Sequence, residues 1–393
     1  MSACSSTSSA PLRSPAARAC RDVMQCVFSF LTLTELVRVT RCCAQWDKWA
    51  AMPMGRTDVV KIMAHFPNLM RSRLLRHVGE IVQMNESCKI DDVNRLRAAT
   101  SNLVRMDIAM NVFASPLDVP LRLPSSLADM TLTFNGQFPE VTTHLLEGVC
   151  NTVSIKKLSL HVLFSTWVPM PSFTHLSRLT QLESLKISGE PRLEATHLNV
   201  IKQMKSLRSL SLFNESWTAD NFQTLCTPPH ALHNLEEIGM QRTWMGAIHI
   251  TSLQHIPTLT RFAPRSMTVS ALHLLRHHLP PACVHLSVHV STPAEIDELF
   301  AIDLSRIQTL HVSDCISFSN DDGFRFLSTR LTSVTDLSVH FRSPYPIDPT
   351  GLCMPRLRRL AIDTYENIYA HLLPEHFTGM PALTSLDLSS VFA

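Results

Sequence analysis

The chain has 393 residues, 45% of them apolar and 17% charged, enough to bury a large core, which excludes wholesale disorder. Its 35 basic and 33 acidic residues leave a formal net charge of +2, so nothing general favours nucleic acid or an anionic membrane as partner. The 11 cysteines are odd in number and irregularly spaced, Cys42 and Cys43 are adjacent, and no CxxC pair occurs. Such thiols read as free or buried ones in a reducing compartment, which predicts the cytoplasm or nucleus. No apolar run is long enough to cross a bilayer.

Residues 1–21, rich in Ser and Ala with three Arg and no acid, fit a disordered tail and also an organelle transit peptide. Residues 22–52 predict a small helical module. Val23, Val27, Phe28 and Leu31 fall on one helix stripe. Thr32 and Glu35 then form a capping box for a second helix carrying Leu36, Val39, Cys43 and Trp46. Two or three short helices bury too little apolar area to stand alone, so the module needs a partner surface. Residues 53–102 are helical in pattern, in TDVVKIMAHFPNLMRSRLLRHV and in IDDVNRLRAATSNL, and hold either a linker helix or one or two degenerate repeats that cap the remainder of the chain.

From residue 103 to 393 one phrase recurs: apolar, two variable, apolar, one variable, apolar. It begins at Leu103, Leu127, Ile155, Leu182, Leu207, Leu235, Leu259, Cys283, Ile307, Val334, Leu357 and Leu383, at intervals of 23 to 28 residues. The fourth and sixth positions alternate with polar residues and so share one face of a short strand. The stretches between read as helical, as in SNDDGFRFLSTRLTSV, where Ser319 or Asn320 can cap a turn, Phe324 and Leu327 share a face, and Asp321 and Asp322 suit the helix dipole. Neither half can bury its apolar side alone, and stacking buries all of them. The predicted fold is therefore α/β: a leucine-rich-repeat horseshoe of about twelve repeats with a parallel concave sheet, behind the short helical module. Polar or Cys residues at the ninth position, Asn111, Asn135 and Cys315, mark only some repeats. Pro264 removes a backbone donor inside its strand and predicts a kink or bulge. The last phrase ends at Leu388, close to Ala393, and predicts a repeat edge needing a partner, another chain or further sequence to cover it.

The third, fifth and seventh positions of each phrase should point out of the concave face. From the seventh repeat these outward positions hold Arg261, Arg265, His285, His289, His311, His340 and Arg359, with Asp336, Asp363 and Asp387 nearby. One reading is a basic strip for an acidic or phosphorylated peptide, since Arg grips phosphate bidentately. The other is an ordinary exposed strand face. Phe213, Trp217 and Trp244 should cluster in loops at the strands' C-terminal rim, as interface anchors or as lids on the repeat core. Cys283 holds a core position, which argues against a metal site with His285 and His289; no metal and no cofactor are expected. No Gly-rich phosphate loop, GxSxG or HExxH occurs, so no catalytic residues are nominated and an enzyme is not expected.

Residues 22–50 resemble an F-box. The family's helix ends aromatic-Ser-aromatic-Leu, turns, continues with an acidic-Leu pair, and closes on Cys-x-x-Trp. The sequence has VFSFL (27–31), TLTEL (32–36) and RCCAQW (41–46), with Cys43 and Trp46 at the family's Cys and Trp. It departs at Ala19-Cys20, where the family has Leu-Pro, and at Leu33, where Pro is common. With the repeats behind it, the chain is similar to F-box/leucine-rich-repeat proteins. The resemblance implies a non-catalytic substrate receptor of a cullin-RING ubiquitin ligase. Val23, Val27, Phe28, Phe30, Leu31, Leu33, Leu36, Val39, Cys43 and Trp46 would hold the Skp-type adaptor of the ligase core, and the repeats would hold a target protein. The alternative is an interaction scaffold with the same horseshoe and no ligase role.

Overall fold

The computed structural model describes residues 80–84, 90–100, 102–112, 120–136, 139–163, 172–189, 193–213, 219–226, 232–315, 330–341, 353–364 and 377–390. Residues 22–52, for which the sequence predicts a helical module, and residues 316–329 lie outside them.

Thirteen strands form one sheet in strict sequence order, every neighbouring pair parallel. They are β1 (Glu80–Met84), β2 (Arg105–Val112), β3 (Asp129–Gly136), β4 (Lys157–Leu163), β5 (Ser184–Gly189), β6 (Ser209–Phe213), β7 (Glu237–Met245), β8 (Arg261–Met267), β9 (His285–His289), β10 (Thr309–Cys315), β11 (Asp336–Phe341), β12 (Arg359–Thr364) and β13 (Ser385–Ser390). Between them run α1 (Ile90–Ala99), α2 (Pro139–Cys150), α3 (Ala195–Lys202), α4 (Ala219–Cys226), α5 (Ala247–Ser252), α6 (Val269–His278) and α7 (Pro293–Ala301). Short 3₁₀ turns span Thr174–Arg178 and Leu253–His255. This is the leucine-rich-repeat solenoid that the phrase spacing predicts. Strands stack about 4.8 Å apart while packed helices need roughly 8–10 Å, so the layers cannot match without curving, and the sheet takes the inside of the curve.

All twelve phrases supply a strand. The thirteenth strand, β1, lies in the region expected to hold either a linker helix or one or two degenerate capping repeats, between its two helical-patterned stretches, and α1 falls on the second of them. Ile81 is fully buried and pairs with Met106, so the ladder starts one rung before the first recognisable phrase.

Burial follows the phrase. The first, fourth and sixth positions are inside, as with Ile155, Leu158 and Leu160 or Leu182, Leu185 and Ile187, all 2% exposed or less. Each such side chain contributes roughly 1.5–3 kcal/mol of transfer free energy. Phe134, Phe173, Phe222 and Phe262 are the largest fully buried side chains. Leu386, at the fourth position of the last phrase, breaks the rule at 42% exposed, because β13 has a strand neighbour on one side only.

A second regularity sits just before each phrase. Ser126, Ser154, Ser206, Asn234, Thr258 and Ser333 each donate a side-chain hydrogen bond to a carbonyl of the preceding turn, on Leu103, Leu127, Thr180, Lys205, His233 and Leu304 respectively, at 2.6 to 3.2 Å. These groups satisfy carbonyls that the strand ladder leaves over. Backbone bonds repeat as well: the second and third residues of a phrase both donate to the second residue's carbonyl one rung earlier, as Lys156 and Lys157 do to Ala128.

Pro264 does break the ladder. Along β7 and β8 the register runs to Met240 opposite Pro264, slips, and resumes at Trp244 opposite Ser266. Between β8 and β9 only Arg261 with His285 and Phe262 with Leu286 are paired. Pro264 has no N–H to give and pairing stops short of it.

Candidate interaction face

Outward side chains form rows that run across the strands, one row for each outward position. At the third position the order is Arg105, Asp129, Lys157, Ser184, Ser209, Glu237, Arg261, His285, Thr309, Asp336, Arg359 and Ser385, each in register with the next. Opposite charges meet along this row: Arg105 and Asp129 are 3.8 Å apart, as are Arg261 and Glu237. One position earlier, Lys156 meets Glu183 at 3.4 Å and Arg208 meets Glu236 at 2.5 Å. All are solvent-exposed pairs, each contributing about 0–1 kcal/mol; their main effect is to neutralise the face locally.

Of the residues expected to bind a target, Arg261 (β8), His285 and His289 (β9), His311 (β10), His340 (β11) and Arg359 (β12) all stand on the outward rows. Arg265 occupies the seventh position of β8, but its side chain is outside the described residues, as are those of Phe213 and Trp244. Trp217 and the ten adaptor-binding residues from Val23 to Trp46 lie wholly outside them. Trp244 was expected in a loop. It is instead part of β7, because the slip opposite Pro264 adds residues and lets that strand continue to Met245.

The strip is less basic than its composition suggests. Glu237 faces Arg261, Asp363 lies 3.8 Å from His340, and Asp336 is in register with Arg359. With neutral imidazoles, the two described guanidiniums face these three carboxylates, a local charge of −1, and Asp387 on β13 adds a further negative charge at the end of the strip. Burial, and then the positive charge of Arg261, lowers the pKa of His285. Burial, and then His340, lowers that of His311. Both are neutral at pH 7.

Four of the outward histidines share one local rule. Each meets the residue in register on the next strand: His161 binds the hydroxyl of Ser188 through Nδ1, His289 lies 3.5 Å from Ser313 Oγ, His311 Nδ1 is 2.9 Å from Ser338 Oγ, and His340 pairs with Asp363. His161 also meets Ser159 Oγ at 3.1 Å through Nε2. Its pKa is lowered by burial and then by Lys186, whereas burial raises that of Asp107 two strands away. Sequence reasoning began the strip at the seventh repeat and missed His161, although it holds the same phrase position as His289. His285 differs: its Nδ1 is buried with no hydrogen-bond partner among the described residues.

Three buried cysteines carry no chemistry of this face. Burial pushes the thiols of Cys150 and Cys226 up to about 12 and that of Cys283 to about 11, so they stay protonated core residues. Among the described residues, no three of His, Cys, Asp and Glu converge on a point where a metal ion could sit, and no helix is long and apolar enough to cross a membrane.

No protein-family model matches the chain, and no curated protein is similar to it. Solved structures are similar at low identity. An internalin (inlF) from Listeria monocytogenes is 13% identical over 90% of this chain and 94% of its own, with a TM-score of 0.41. The leucine-rich-repeat protein LegL7 from Legionella pneumophila is 12% identical over 85% and 91%, with a TM-score of 0.41. The circular leucine-rich-repeat protein CroV588 is 13% identical over 80% of this chain and 40% of its own, with a TM-score of 0.34. The architecture of this chain rests on its own sheet order.

Proposed function

We propose that the chain is a non-catalytic interaction scaffold that holds another protein against the open face of its sheet. The observation behind this reading is the face itself: outward rows on thirteen parallel strands, carrying many Ser, Thr, His and paired charges. A surface of that width suits a protein better than a small molecule. The test is capture from cells by proximity labelling, comparing wild type with a triple variant, Arg261→Glu, Ser287→Arg and Arg359→Glu, and with Asp297→Lys on the helix layer. The face variant should lose the proteins that wild type enriches, and the helix variant should keep them. The opposite pattern refutes the reading.

The finer proposal is that this scaffold is the substrate receptor of an SCF-type ubiquitin ligase in the cytoplasm or nucleus, with neither nucleic acid nor membrane as partner. Its support is the F-box resemblance of residues 22–50 in front of repeats. A tethered target would meet the conjugating enzyme at high effective concentration, without catalysis by this chain. Co-purification with a Skp-type adaptor tests it. Wild type should bind, and Leu31→Asp and Trp46→Ala should not. Failure of wild type to bind leaves the scaffold without the ligase.

A further inference from the structure

On three successive strands the outward residues form a three-by-three patch: His285, Ser287 and His289 on β9; Thr309, His311 and Ser313 on β10; Asp336, Ser338 and His340 on β11. The registers pair Thr309 with His285 and Asp336, His311 with Ser287 and Ser338, and Ser313 with His289. Titratable groups hold the centre and the four corners, and hydroxyls hold the four edges between them. The patch measures roughly 10 by 13 Å from strand spacing and rise.

We propose that this patch is a proton-gated receptor for an acidic peptide segment, closed to it at neutral pH and open to it in mild acid. The proposal rests on the scaffold reading above and names the partner chemistry and its control.

The charges that face the patch are few. Arg261 on β8, with Glu237 behind it, flanks His285. Asp336 is the fourth corner, and Arg359 and Asp363 come next, on β12. Arg265 of β8 and Asp314 of β10 belong to the same strands, with side chains outside the described residues and charges that offset each other. With four neutral imidazoles the described groups sum to −1, and the face repels an anion. Two added protons bring the sum to +1, and the same face attracts one. Histidine is the side chain whose ordinary titration falls in this range.

The hydrogen bonds change with the charge. A neutral imidazole closes a rung by sharing one proton with its partner, as His311 does with Ser338 at 2.9 Å. An imidazolium has two N–H donors and accepts nothing. The serine oxygen must then accept, and its own proton turns outward. Protonation at His289 and His311 therefore presents new donors to a carboxylate as well as a positive charge.

The experiment uses the full chain and a rhodamine-labelled hexa-aspartate peptide, whose carboxylates stay mostly ionised, with fluorescence anisotropy at constant ionic strength from about pH 7.5 to about pH 5.0. Circular dichroism at each pH establishes that the chain is folded. Affinity should rise at least about tenfold toward acid, because the charge reversal acts within a Debye length. A variant with His285, His289, His311 and His340 all changed to Gln should lose the rise. Asp336→Asn with Asp363→Asn should bind the peptide already at neutral pH, since the described sum is then +1. Equal affinity at both pH values, an acid-induced rise that survives in the four-Gln variant, or no binding at any pH each overturns the proposal. None of these touches the scaffold reading, which stands or falls on the capture experiment.

Discussion

At the residue scale the informative groups are two histidines that the phrase does not predict. His197 and His249 are each the third residue of a helix, and each accepts a hydrogen bond at Nδ1 from the backbone N–H three residues earlier, on Glu194 and Gly246, at 3.0 Å. That geometry puts the ring proton on Nε2. His249 is 4% exposed, packs on Phe222 at 5.6 Å, and has a pKa lowered by burial. Its folded pKa lies below its unfolded one. Its stabilisation is therefore complete above about pH 6.5 and is lost as pH falls through the folded value. His249→Ala should cost about 1–2 kcal/mol at pH 7.5 in urea denaturation. His249→Gln can still accept the Gly246 N–H without titrating. It should lose less stability than wild type between pH 7.5 and pH 5.5, and a steeper loss would contradict the assignment.

At the element scale, α7 shows the same cap built from a carboxylate. Glu295, 7% exposed, accepts from the N–H of Ser291 at 2.7 Å, the hydroxyl of Ser291 at 3.1 Å and the N–H of Thr292 at 3.0 Å. Thr292 in turn accepts from the Glu295 N–H at 3.3 Å. Removing Glu295 orphans three donors and removing Thr292 orphans one. Glu295→Ala should therefore cost about 2–3 kcal/mol and Thr292→Ala about 1 kcal/mol, measured by chemical denaturation. Thr-Pro-Ala-Glu is a capping box written openly in the sequence. Glu194 and His197 are not, because His at the third position is outside the usual signature. The seam at Pro264 was legible for a simple reason: a missing N–H cannot be supplied by context. Pro264→Val should restore a donor and slow amide exchange across β8 and β9, and unchanged exchange would place the cause of the short pairing elsewhere.

At the scale of the whole molecule, the repeat was readable because strands, turns and burial all obey one local rule, and each rung needs only its neighbours. β1 was the least legible strand because its phrase is degenerate: Glu80, Ile81 and Val82 keep the strand and one core contact, but the sixth position, apolar in the other phrases, holds Gln83. The outward residues were also legible from the phrase alone, since alternation fixes which side chains leave the core. Their electrostatics were not. Whether Arg261 is available or compensated depends on Glu237, which is 24 residues away in sequence and 3.8 Å away in space. Composition counts charges without their neighbours, so it made the strip look basic.

The central claim, that partners sit on the open sheet face and not on the helix layer, is tested most directly by photo-crosslinking. A benzophenone side chain placed at Ala361, an outward position in the middle of β12, should form adducts with the captured protein in cells. The same group placed at Asp297 on α7, exposed on the helix side, should form none. Adducts from Asp297 and none from Ala361 would contradict the account.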